Sequence, residues 1–229
     1  MATRTETSEG RTPLTRDRVM AAAVALADRE GLDAVSMRKL GAELGVEAMS
    51  LYNHVENKDD VLSGMVDLVI TEIDLTPPGG DWRTAMRARI LDARSVMLRH
   101  KWAPKALETR AAISPPLMRY FHGMLEIFRS GDVSYDLAHH GMHALGSRAL
   151  GFSTELFAPS SDAEADADTP SPEEMAEFPV MMEMLAEITH DGPDDTVGSC
   201  DDQTEFIFVL DLVLDGLERL RIQESETAR

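Results

Sequence analysis

The chain has 229 residues, 43% of them apolar, with a formal net charge of −19 and one cysteine; its mean hydropathy is −0.20. The length allows a small head and a larger second unit. No run of eighteen apolar residues exists, the stretch from Met1 to Arg11 is polar rather than signal-like, and Cys200 alone permits no internal disulfide, so a cytoplasmic protein is expected, without membrane span or disulfide framework.

Residues 1–14 are rich in Thr, Arg and Glu without a period and read as a flexible arm. Thr15 is placed to cap a first helix with Val19, Ala23 and Leu26 inward, ending at Gly31. Ser36 offers the N-cap of a second, short helix, in which Met37, Leu40 and Leu44 fall at i, i+3 and i+7. Gly45 supplies the positive φ of a tight helix exit. Val46, Leu51 and Val55 continue an apolar face, while Ala48, Met49, Ser50, Asn53 and His54 stay outside it. A helix at about Glu47 to His54, buried on one side and tipped with small or hydrogen-bonding residues on the other, suits a DNA major groove. Two short helices about a glycine turn form a helix-turn-helix, and binding to double-stranded DNA is expected. Asn57 and Asp60 make a near capping box for a long fourth helix over 58–74, carrying Val61, Leu62, Met65, Val66, Val69 and Ile73. Thr76-Pro77-Pro78-Gly79-Gly80 breaks it and bounds a DNA-binding domain at 15–75.

The stretch from Thr15 to Ile73 closely resembles the DNA-binding domain of the tetracycline repressor (TetR) family. The resemblance is carried by Arg29-Glu30-Gly31-Leu32, by Ser36-Met37-Arg38-Lys39-Leu40-Gly41, by Leu44-Gly45-Val46, and above all by Leu51-Tyr52-Asn53-His54-Val55 followed by Asn57-Lys58. It implies that Tyr52 reaches a backbone phosphate, that Arg38 contacts base or phosphate, and that Ala48, Met49 and Ser50 occupy base-reading positions. Each has a plainer reading beside it. Tyr52 next to Leu51 could be core with a wet hydroxyl, Lys39 plain surface, and His54 a packing or phosphate residue. Met49 could touch a thymine methyl or simply pack. Lys58 in a first helical turn opposes the macrodipole, which favours a phosphate contact over a solvated charge.

The charge is uneven. Residues 1–60 hold eight Lys or Arg against eleven acids, residues 61–160 eleven against ten, and residues 161–229 three against twenty. Acid in the final third repels a duplex and biases orientation, leaving Arg4, Arg11, Arg16, Arg18, Arg38, Lys39 and Lys58 for the DNA side.

Beyond Asp81 the pattern stays helical. Trp82, Met86, Ile90, Ala93 and Met97 make one stripe; Pro104 interrupts; Ser114-Pro115 opens a helix with Leu117, Phe121, Met124, Leu125 and Phe128 that ends at Gly131. A glycine-interrupted helix follows over about 134–156, then an acidic loop at 158–172 and helices at about 172–190 and 203–223. The fold class is all-α: a three-helix helix-turn-helix head joined by a long fourth helix to a helical effector-binding and dimerisation domain at 81–223. The last helix is apolar almost all round, with Phe206, Val209, Leu210, Val213, Leu217 and Leu220 read as a homodimer face and a central core helix as the alternative. The resemblance implies a four-helix interface with the helix at 134–156.

Trp82, Met86, Trp102, Met118, Phe121, Met124, Phe128, Met142 and Phe152 are candidates to line an effector pocket, core packing being the plainer reading of any one. His139 and His143 stand at i and i+4, a spacing that admits a metal; polar contact with an effector or plain helix surface is the competing reading, and no metal ligand is assigned. No phosphate loop, nucleophile elbow, dinucleotide-binding glycines or catalytic carboxylate pair is present, so no catalytic residue and no cofactor are expected. The function expected is a transcriptional repressor binding a palindromic operator as a homodimer and released by a small-molecule effector. The alternative is a regulator that answers a metal ion or a protein partner, or has no effector.

Overall fold

A computed structural model describes residues 13–76, 79–108, 113–149, 177–187 and 202–227. Among them the only regular structure is helical. The helices are α1 (Arg16–Glu30), α2 (Met37–Leu44), α3 (Ala48–Leu51), α4 (Lys58–Ile70), α5 (Trp82–Arg99), α6 (Ala103–Glu108), α7 (Pro115–Ser130), α8 (Tyr135–Ala149), α9 (Pro179–Glu187) and α10 (Asp202–Thr227). A short 3₁₀ turn at Leu32–Ala34 separates α1 from α2.

Side-chain caps place several of the helix starts. The Thr15 hydroxyl accepts from the Arg18 amide at 3.2 Å, Ser36 from Lys39 at 3.3 Å, and Asn57 from Asp60 at 2.9 Å. Asp81 accepts from the Arg83 and Thr84 amides, which holds its carboxyl below the usual range. Ser114 has the extended backbone of an N-cap, yet its side chain makes no cap bond; its hydroxyl donates instead to Asp67 on α4 at 2.5 Å. Pro104 does not interrupt α5, which ends at Arg99. It sits in the first turn of α6, where a missing N–H leaves no helical bond unmade.

Helices α1 to α8, with the last turns of α10 from Leu220, form one compact unit; α9 and α10 up to Arg219 belong to a second. Within the first, α4 is the shared element, packing on α1 on one side and on α5, α6 and α7 on another. Its Val61, Met65, Val66, Val69 and Ile70 are all buried, and α1 meets them with Val19, Met20, Ala23, Val24, Leu26 and Ala27. The segment past α4 continues as i→i+3 turns through Ile73 rather than as helix to 74. The expected arm up to residue 12, the acidic loop at 158–172 and the end of the helix expected over 134–156 lie outside the described residues.

Candidate nucleic-acid interface

The angle between α2 and α3 is set by two glycines. Gly45 caps α2 in the left-handed region at φ 65°, and its amide and that of Val46 turn back to Ala42 and Gly41 carbonyls. Gly41 is where the backbones meet: a Cβ there would lie 2.9 Å from the Val46 carbonyl oxygen and 3.1 Å from the Ala48 nitrogen. The recognition element is shorter than the sequence pattern suggests. Only Ala48–Leu51 is α-helical, and Tyr52, Asn53 and His54 continue it by i→i+3 bonds to Met49, Ser50 and Leu51. Leu40, Leu51 and Val55 are buried beneath it.

Outward the element presents Met49 at 74% exposure, Tyr52 at 45% and an exposed Asn53, with Ala48, Ser50 and His54 partly covered. Arg38 and Lys58 are exposed and have no ion pair among the described residues. Lys39 differs: its ammonium is 2.7 Å from Glu30, whose carboxyl that bond holds below the usual range. Arg16 is likewise committed, gripping both oxygens of Asp60 at 2.5 and 2.7 Å and donating to the His54 carbonyl. Asp60 also accepts from the Glu56 amide, and the Arg16 bond lowers its pKa. Arg16, one of the cations the sequence leaves for the DNA side, joins α1 to the start of α4 and the end of the recognition turn.

Behind the head, Asp28 on α1 takes the Trp102 indole N–H at 2.6 Å and the His100 imidazole at 2.9 Å. His100 reaches Glu72 with its other nitrogen at 3.2 Å, and Arg99 donates to the same carboxylate. Burial pushes the Glu72 carboxyl up, but Arg99 and His100 outweigh it and hold it below its ordinary value.

The candidate effector residues are not gathered into one lining. Trp82, Met86, Met124 and Phe128 are buried, with the Trp82 and Phe128 rings 5.7 Å apart, as in a filled core. Trp102 serves the junction with Asp28. Met118 is exposed, and Phe121 and Met142 are half-buried. His139 and His143 are exposed with ring centroids 4.7 Å apart. Phe152 lies outside the described residues. An open cleft of about 400 Å³ sits instead at the end of α4, bordered by Ile70, Glu72, Asp74, Leu75 and Arg119. On α10, Phe206, Leu210 and Leu217 are already buried within one chain, Val209 and Val213 are half-buried, and Leu220, Phe208 and Leu212 are exposed.

A paired-helix head that aims an aromatic, a methionine and unpaired cations outward, mounted on a helical body, defines a helix-turn-helix DNA-binding regulator of transcription. The comparisons agree. The family described as bacterial regulatory proteins, tetR family, matches residues 19–65, and the tetracyclin repressor-like C-terminal domain matches residues 76–221. The chain therefore belongs to the tetracycline repressor family. It is 30% identical over 216 residues to the transcriptional repressor DrrR1 of Streptomyces coeruleorubidus, covering 92% of this chain and 79% of that one. It is 43% identical over 103 residues to a transcriptional regulator of Saccharopolyspora erythraea, which is 44% of either chain. The structure of Streptomyces coelicolor ActR in complex with actinorhodin matches at a TM-score of 0.70 and 28% identity, over 90% of this chain and 96% of ActR.

Proposed function

We propose that the protein is a cytoplasmic repressor that holds a palindromic operator as a homodimer and releases it when a small molecule binds the helical body. The observation that carries the reading is the position of α4. One helix supports the head through α1 and is hydrogen-bonded to α7 through Asp67 and Ser114, so repacking in the body has a direct route to the recognition element. Half-site spacing is fixed by the duplex, and a small swing of two heads on a shared dimer loses contacts. Exposed Phe208 and Leu212 on α10 supply apolar surface for a second copy. DrrR1 is named a repressor and ActR binds actinorhodin, which supports both halves of the reading.

A tenfold loss of operator affinity requires about 1.4 kcal/mol of differential ligand binding, within the usual range of coupling energies. Actinorhodin is the first compound to test, by anisotropy of a labelled operator. For any compound that releases the operator, calorimetry with and without DNA must give ligand affinities that differ by the same factor; equal affinities contradict the coupling. The metal-sensing alternative has two neighbouring imidazoles, His139 and His143, and no group of three donors among the described residues.

A further inference from the structure

Arg89 lies within the apolar stripe of α5, one turn after Met86, and is only 2% exposed. Its Nη2 donates to the Leu75 carbonyl at 2.9 Å, while Nε and Nη1 have no hydrogen-bond partner among the described residues. No carboxylate there closes an ion pair with it. Asp74 and Asp92, whose charges bear on this region, are engaged by backbone: Asp92 accepts from the Asp74 amide at 2.7 Å, and Asp74 from the Thr76 amide at 2.8 Å. On α7 the Tyr120 hydroxyl is fully buried and likewise has no hydrogen-bond partner among the described residues. Burial raises its pKa, and the neighbouring Arg89 charge pulls the other way. Gly123, one turn on, leaves the guanidinium its space, since a Cβ there would stand 2.9 Å from Nη1.

A guanidinium cannot shed its proton, and an unpaired charge inside a protein is strongly unfavourable. A second orphan hydroxyl, near enough to feel the Arg89 charge, lies on the facing helix. One cation plus one neutral hydroxyl matches a singly charged acid better than a phosphate, whose second charge would stay uncompensated. We propose that Arg89 Nη1 and the Tyr120 hydroxyl anchor the acidic group of the effector, an organic carboxylate. This rests on the effector reading above and names its ligand class. The same guanidinium holds the Leu75 carbonyl just past α4, so an acid drawn onto Arg89 acts on the anchorage of the helix that supports the head.

The test uses the full chain without DNA, benzoate as probe and benzamide as its uncharged twin. Benzoate at about ten times its Kd should raise the melting temperature by roughly 3 to 6 °C, and benzamide should not. Arg89→Met should abolish the shift while leaving the free protein as stable or more stable, because the unpaired charge is gone. Tyr120→Phe, which keeps the ring and removes only an orphan hydroxyl, should weaken benzoate about tenfold and decides the matter if Arg89→Met does not fold. No benzoate shift, equal shifts with benzamide, or a wild-type response in Tyr120→Phe overturns the site. A compound that releases operator equally from wild type and Tyr120→Phe removes this anchor and leaves effector control standing. Benzoate bound through Arg89 without change in operator affinity keeps the anchor and removes the coupling.

Discussion

The imidazole of His100 sits 2.9 Å from the Asp28 carboxylate, tying the end of α5 to the first helix of the DNA-binding head. Asp28 also accepts from Trp102, and His100 also meets Glu72 beyond α4, so one cluster, its two rings buried and its carboxylates facing outward, joins α1, the end of α4 and the body.

Asp28→Ala leaves the Trp102 N–H and His100 without their acceptor. It should destabilise the protein by about 2 kcal/mol, with Asp28→Asn, which keeps an acceptor oxygen, losing less. Urea denaturation followed by tryptophan fluorescence measures both; equal midpoints for wild type and Asp28→Ala would show that the cluster contributes nothing.

The carboxyls of Asp60 and Glu72 are held below their ordinary values of 3.8 and 4.5 by their basic partners. A lowered folded-state pKa gives stability that is fully present above the ordinary value and is lost as pH falls through the folded one. Stability should therefore be flat with respect to these groups above about pH 5 and decline below about pH 4. In Asp60→Asn the decline should be shallower, from a lower starting stability. An unchanged acid slope in that variant would mean that the Arg16 contact does not stabilise the fold.

Gly41→Ala places a methyl against the Val46 carbonyl and the Ala48 backbone, where nothing flexible can yield. The expected cost is about 1 to 3 kcal/mol, with a loss of operator affinity because the α2–α3 angle must open. Wild-type melting and wild-type affinity in Gly41→Ala would refute the close approach.

Local signals made much of this legible. Thr15, Ser36, Asn57 and Asp81 cap helices because a cap is a matter of three or four neighbouring residues, and Gly45 shows its conformation by its type. The Leu51-Tyr52-Asn53-His54 segment located the recognition element, though not that its last three residues leave α-helical geometry. Partners distant in sequence were not legible. Nothing near Trp102 announces Asp28, and Ser114 looks like a cap until Asp67 is beside it. A helix apolar all round, as α10 is, does not say which stripe its own chain covers. Arg89 is legible in the sequence: a charged residue one turn after Met86 in an apolar stripe is a signal in itself.

Among the cations, Lys39 is paired with Glu30 and Lys58 has no ion pair among the described residues. Lys58→Ala should weaken binding to all duplexes and reduce the salt slope by about 0.9 units if one phosphate contact is lost. Lys39→Ala, whose ammonium already belongs to Glu30, should change the slope less. Titrations at several salt concentrations check this, and equal effects would refute the distinction.

On the proposed function, two copies of this head read one palindrome through the turn at Ala48–His54. The direct measurement is selection of bound duplexes from a random pool, followed by anisotropy and sedimentation of the recovered site with wild type and Tyr52→Ala. An enriched inverted repeat, two chains per duplex, and loss of affinity in Tyr52→Ala are expected. No enriched sequence, one chain per duplex, or affinity for the selected site equal to that for random DNA would contradict it.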